Sequence, residues 1–172
     1  MAATLLDFPP LYTLQLNPAT RQKQLSIWAG VIRDSLPGFS IQVSERPGVF
    51  SNKTIGRELD PAFITALCEY LVAEGLAEWT VPKQTVLVFK RPLTEWASAI
   101  HSWAVACGKT SSVESAFSIV AGDDSKGQAF HGIPNELMLK ALQELESQHK
   151  CELIFRGDVQ NDIMSCGVKF FP

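Results

Sequence analysis

No apolar stretch in this chain approaches the ~20 consecutive residues that a membrane-spanning helix needs. Residues Met1 to Leu6 also lack the basic start and apolar run of a secretory signal. The expected setting is the cytosol, with any membrane role peripheral. The four cysteines, Cys68, Cys107, Cys151 and Cys166, form no C-x-x-C pair and have no histidine at metal-ligand spacing beside them. In a cytosolic chain that pattern reads as buried free thiols. Cys151 and Cys166 are placed to face each other across a closing hairpin, but the pattern does not make them a disulfide.

Catalytic patterns are missing as well. His101, His131 and His149 fall in no H-x-x-x-H or H-E-x-x-H spacing, and no nucleophile, base and orienting group come together in sequence. Gly108-Lys109-Thr110-Ser111 looks like the end of a phosphate-binding loop, but the first glycine of that motif falls on Trp103. The segment also follows a predicted helix rather than a strand, so Gly108 reads as a helix terminator. No catalytic residue, metal ligand or cofactor-binding residue is assigned, no cofactor is expected, and the chain reads as a non-enzyme.

What the chain does contain is one unit written twice. Leu25-x-x-Trp28-Ala29-x-x-Ile32 returns as Leu93-x-x-Trp96-Ala97-x-x-Ile100. Positions i, i+3, i+4 and i+7 share one helix face, so each copy is an apolar stripe that another element must cover. Ala66-Leu67-x-Glu69 likewise matches Ala141-Leu142-x-Glu144, with seven extra residues that fit an insertion in the polar stretch Ala121 to Ala129. With 172 residues, 46% hydrophobic and 19% charged, the chain accommodates two compact units of roughly 80 residues.

Read in order, Phe8-Pro9-Pro10-Leu11-Tyr12 predicts a polyproline-II arm, because the prolines fix φ and force Phe8 into an extended conformation. Its apolar side chains either fold back on their own domain or enter a partner's pocket, and PP-x-Y is also a ligand pattern of WW domains. Asn17-Pro18 caps a helix that runs to about Leu36. Phe39 to Val43 alternates as a short strand, and Val49 to Leu59 reads as a short second helix. Asp60 opens a stronger helix closed by Gly75, followed by a hairpin of Leu76 to Val81 and Thr85 to Lys90. The second unit repeats this: a helix from Leu93 to about Cys107, a strand region from Ser112 to Val120 and an exposed loop from Ala121 to Ala129. A helix from Asn135 to about Lys150 and a hairpin of Cys151 to Arg156 with Gly167 to Phe171 complete it. The fold expected is α+β, two tandem winged helix-turn-helix domains with small β-hairpin wings. The divisions are an N-terminal arm at 1–16, a first winged helix at 17–91 and a second at 92–172.

Winged helices commonly bind DNA, and phosphate contact needs Lys or Arg on the recognition helix. Asp60 to Gly75 has neither, and carries Asp60, Glu69 and Glu74. Asn135 to Lys150 sets Lys140 and Lys150 against Glu136, Glu144 and Glu146, in a chain of net charge −3. No nucleic-acid partner is expected, although a nucleic-acid-binding transcription protein is the alternative that the fold class raises.

Phe8-Pro9-Pro10-Leu11-Tyr12-Thr13-Leu14-Gln15 running into Thr20-Arg21-Gln22-Lys23-Gln24-Leu25 and Trp28 resembles the family of the small subunit of the ESCRT-II endosomal sorting complex. Arg91-Pro92 with Glu95-Trp96, Phe130-His131-Gly132, and Gly167-Val168-Lys169-Phe170-Phe171 match that family in order. The segment Pro37 to Val49 departs from it, so contacts there are not carried over. The resemblance implies two tandem winged helices in a non-enzymatic subunit, two copies of which join two larger winged-helix subunits. It further implies that the arm and first domain dock on those larger subunits, and that the second recruits and activates an ESCRT-III subunit. The setting would be sorting of ubiquitinated cargo into multivesicular bodies, with the chain cytoplasmic and at the endosomal membrane only through the complex. Pro9, Pro10 and Tyr12 match the motif and are the protein-binding residues it implies.

Overall fold

The computed structural model describes residues 5–157 and 162–172. The chain divides into two compact units between Lys90 and Arg91. The first long α-helix of each unit carries its copy of the repeated stripe.

In the first unit, helix α1 (Pro18–Ser35) starts where Asn17 Oδ1 accepts the Thr20 N–H at 3.1 Å. Such a cap satisfies one of the donors a helix start leaves unpaired, and Pro18 costs nothing at a position whose N–H is already orphaned. Leu25, Trp28 and Ile32 are buried along one face. Helix α2 (Pro61–Ala73) repeats the device, with Asp60 accepting from the Phe63 N–H at 2.7 Å. It ends on Gly75 at φ +72°, in the left-handed region that glycine enters without a Cβ penalty. Strand β1 (Ser40–Gln42) pairs antiparallel with β5 (Thr85–Val88), which pairs with β4 (Ala77–Val81), giving sheet order β1-β5-β4. Trp28 lies at the centre of the core, its ring edge-on to Tyr12, Phe50 and Phe63 at 5.3, 5.9 and 6.4 Å.

The second unit is built on the same plan. Helix α3 (Leu93–Ala106) buries Trp96, Ala97, Ile100 and Trp103 and ends at Gly108, φ +68°, so Gly108 terminates a helix as its sequence context indicates. Helix α5 (Asn135–Ser147) packs against α3 and buries Leu137, Met138, Ala141, Leu142 and Leu145. Strand β6 (Glu114–Ser115) pairs with β8 (Cys166–Phe170), which pairs with β7 (Cys151–Phe155), in the order β6-β8-β7. In both three-stranded sheets the first strand pairs with the last, so the unit is repeated in topology as well as in sequence. The tip of the second hairpin at 158–161 lies outside the described residues.

Three local expectations are corrected. The arm is not polyproline II: Pro9–Tyr12 is a 3-10 turn, with the Leu11 N–H donating to Phe8 O at 3.0 Å. Proline fixes φ near −65°, which both conformations share, and leaves ψ to be chosen by what the turn buries. Phe8 itself is extended as expected, at φ −91°, ψ 103°. The helix expected over Val49 to Leu59 is instead a 3-10 turn at Gly48–Phe50 and a tight hairpin, β2 (Ser51–Asn52) with β3 (Arg57–Glu58). There Asn52 Oδ1 accepts from the Thr54 N–H at 3.0 Å and Gly56 turns at φ +62°, so a side-chain-stabilised turn outcompetes helix. The strand expected over Ser112 to Val120 is two residues long and gives way to helix α4 (Ala116–Ala121), whose Ala116, Ile119 and Val120 are buried.

Candidate functional site

The arm is held on the first unit by a set of hydrogen bonds that start from α1. Gln24 and Trp28 are one helical turn apart on the buried face of α1. Trp28 Nε1 donates to Leu11 O at 2.9 Å. Gln24 Nε2 lies 2.7 Å from Thr13 O, 3.1 Å from Leu11 O and 3.2 Å from Pro10 O, and its Oε1 accepts the Gln15 N–H at 3.1 Å. One turn earlier, Arg21 Nε donates to Gln15 O at 2.8 Å.

Leu11 and Tyr12 are thereby buried in the first core. The Tyr12 hydroxyl donates to Leu6 O at 2.9 Å, and Asn52, the last residue of β2, donates to both Leu6 O and Asp7 Oδ1. Burial raises the Tyr12 pKa, assisted by the nearby Asp7 carboxylate and opposed by the Asn52 contact. Of the two outcomes open for the arm, this chain shows folding back on its own domain. The opposite side faces solvent: Pro9 and Pro10 are exposed and Phe8 is 55% exposed. Leu16, just beyond, is 89% exposed.

The structure therefore brings Pro9, Pro10 and Tyr12 into one turn but gives them different surroundings. The prolines face outward, while the Tyr12 ring lies against Trp28. A WW domain, which grips a free tyrosine ring of a PP-x-Y peptide, would have to pull Tyr12 out of the core. Gln24 and Asn52 were not singled out by sequence reasoning. For Gln24 a signal existed: it is a polar residue one turn before Trp28 on a face that is otherwise apolar.

His101, His131 and Lys109 each make a contact within the chain. His101 Nε2 sits 2.7 Å from Phe171 O, and His131 Nδ1 sits 2.8 Å from the hydroxyl of the fully buried Ser125. Lys109, the lysine of the apparent phosphate-loop sequence, contacts Asp124 at 2.8 Å and Glu114 at 3.8 Å. The Lys109 hydrogen bond holds the Asp124 carboxyl below its usual range. Cys151 and Cys166 are not cross-strand partners: Cys151 pairs with Phe170 and Cys166 with Phe155. All four cysteines are free thiols, but only Cys68, Cys151 and Cys166 are buried; Cys107, at the end of α3, is exposed, contrary to expectation. Among the described residues no three His, Cys, Asp or Glu side chains form a group able to hold a metal ion. No helix among them is long and apolar enough to cross a membrane.

The whole chain has known relatives. The model of a family described as ESCRT-II complex subunit matches residues 5–134. Vacuolar protein-sorting-associated protein 25 of Xenopus laevis is 33% identical over 172 residues, covering 96% of this chain and 95% of the relative. The protein of the same name from Homo sapiens is 32% identical over 170 residues, covering 95% and 93%. Among solved structures, subunit VPS25 of the endosomal trafficking complex ESCRT-II superposes with a TM-score of 0.82 at 22% identity over 97% of both chains. A chain in the crystal structure of endosomal complex ESCRT-II (VPS22/VPS25/VPS36) gives 0.76 at 23%, covering 95% of this chain and 96% of that one. At that identity the structural likeness speaks for the fold, an α+β pair of tandem winged helices.

Proposed function

This chain belongs to the family of ESCRT-II complex subunits, and from that premise we propose that it is an assembly subunit that docks through its N-terminal arm. The parts are the arm at 1–16, a first winged helix at 17–91 and a second at 92–172. The arm and first winged helix bind two larger winged-helix subunits, the counterparts of VPS22 and VPS36 in the solved complex, with two copies of this chain per assembly. The second winged helix recruits and activates an ESCRT-III subunit in the sorting of ubiquitinated cargo. The chain then acts in the cytoplasm, at the endosomal membrane only through the complex, and without enzymatic chemistry of its own.

The observation that carries this reading is the arm. Phe8, Pro9 and Pro10 are apolar and exposed, yet their turn is held by buried Leu11 and Tyr12. An apolar surface on a rigid backbone loses little entropy on binding, which is what a docking element needs. Pro9 and Pro10 supply the contact surface, and Tyr12 completes the motif with its ring set against Trp28. Only the first unit is preceded by such an arm, and that asymmetry fits separate partners for two similar domains.

The test is co-elution of the full chain with the two larger subunits. Replacing Pro9 and Pro10 together by Ala should reduce it while thermal melting of the isolated chain stays close to the parent. Tyr12→Phe, which removes the hydroxyl's contacts with Leu6 and Asn52 but keeps the ring against Trp28, should reduce it less. Undiminished assembly of the double proline variant would sink the docking reading.

A further inference from the structure

We propose that Gln24 is the positioning residue of the docking arm: through its carboxamide, α1 presents Phe8-Pro9-Pro10 to an apolar pocket on a larger subunit as a preformed turn. The proposal rests on the docking reading above and adds the group that prepares the arm for it.

Gln24 is 5% exposed, and a buried amide must find partners for two N–H bonds and one oxygen. It finds them all on the arm. Its nitrogen faces three carbonyls, of Pro10, Leu11 and Thr13, and its oxygen faces the Gln15 N–H. Those partners lie 9 to 14 residues earlier in the chain, so the side chain closes a loop rather than serving its own helix. The polarity of the arm also settles which way the amide points, because the reverse flip would set oxygen against carbonyls. A glutamate here could accept from Gln15 but not donate, and a lysine could donate but not accept. An asparagine is one methylene shorter. Of these, only glutamine both donates and accepts at the required reach. It clamps the backbone on the C-terminal side of the two prolines, and the Trp28 indole N–H shares the carbonyl of Leu11. Without the clamp the exposed side chains of the arm remain, but as a mobile peptide that must be ordered when it docks, at an entropic cost.

Gln24→Leu is similar in volume and removes every bond that Gln24 makes to the arm, leaving the Trp28 bond in place. In the full chain, with the two larger subunits as binding partners, it should weaken association at least about tenfold. It should also raise backbone hydrogen exchange at residues 8–15 while the helix amides of α1 stay protected. Combining it with the double proline-to-alanine change separates positioning from general damage. If Gln24 acts by presenting the arm, the combined variant binds little worse than the proline variant alone. If its loss adds in full to that of the prolines, or if Gln24→Leu binds like the parent while the proline variant does not, the proposal is overturned and docking by the arm stands. If the proline variant itself binds like the parent, docking by the arm fails and this proposal falls with it. Should Gln24→Leu not fold, Arg21→Gln, which removes the Arg21 to Gln15 contact at the more exposed end of the clamp, is read by the same criteria with a smaller expected loss.

Discussion

Trp28 and Trp96 hold the same place in their two units but have different neighbours. Trp28 is fully buried, makes three edge-on aromatic contacts and donates to the arm. Trp96 is 3% exposed and carries the Arg91 guanidinium 4.8 Å from its ring centroid. Truncating either to Ala should cost about 3–5 kcal/mol, because a large cavity is left in a small core. Urea denaturation followed by circular dichroism measures it. The thiols give a second prediction. Burial, with Glu69 adding to it, pushes the Cys68 thiol up to about 12, and burial with Glu146 does the same for Cys151. Cys166 is raised by the same causes. A maleimide at neutral pH should therefore label exposed Cys107 and spare the other three until the chain is unfolded. The pH dependence follows from the same direction. A thiol whose folded pKa lies above its unfolded value holds its proton better when folded, so its contribution is complete below about 9 and is lost as pH climbs toward about 12. The urea midpoint should fall across that alkaline window, and replacing Cys68 by Ala should flatten the fall.

Individual elements differ in how strongly their ends are specified. Asn17 and Asp60 cap α1 and α2 through side-chain oxygens, whereas Pro92 and Pro134 precede α3 and α5 without a side-chain bond. Asn17→Ala should cost about 1 kcal/mol, seen as a lowered melting temperature. At Gly122 a different constraint operates. Its φ of −75° suits any residue, but an added Cβ would lie 2.3 Å from Ser118 O. Gly122→Ala must therefore displace the end of α4, and a loss of at least about 1–3 kcal/mol is expected in thermal or urea denaturation. Besides the arm, two short elements are misread from sequence, each for its own reason. Within Ser112 to Val120 the apolar run from Ala116 fits helix and strand equally until its neighbours choose, whereas within Val49 to Leu59 the Asn52 side chain and Gly56 form a turn that no helix period signals.

For the molecule as a whole, charge bears on what the winged helices can meet. Between Asp60 and Gly75 there is no lysine or arginine to neutralise phosphate, and the chain carries net charge −3. A fluorescence titration with duplex DNA at low salt should show no binding that weakens as salt rises, the signature of counterion release. A steep salt-dependent isotherm would restore the nucleic-acid alternative. The arm belongs to this scale too, because its use depends on a core that lies mostly after it in sequence.

The sequence by itself determined the repeat, the major helices and both closing hairpins. Those signals are local: a 3.6-residue period through Trp28 and Trp96, a capping Asn or Asp before Pro, a glycine where the chain must enter the left-handed region. It also made Pro9 and Pro10 stand out, because proline restricts the backbone wherever it occurs. Only the tertiary structure decided what that restriction produces. Proline sets φ but not ψ, so the choice between an extended arm and a turn fell to contacts 9 to 17 residues away, where Gln24 and Trp28 reach the carbonyls of the arm. The same contacts divided the motif, turning Tyr12 inward and leaving the prolines outside, since only the folded core offers an aromatic face for the ring to cover.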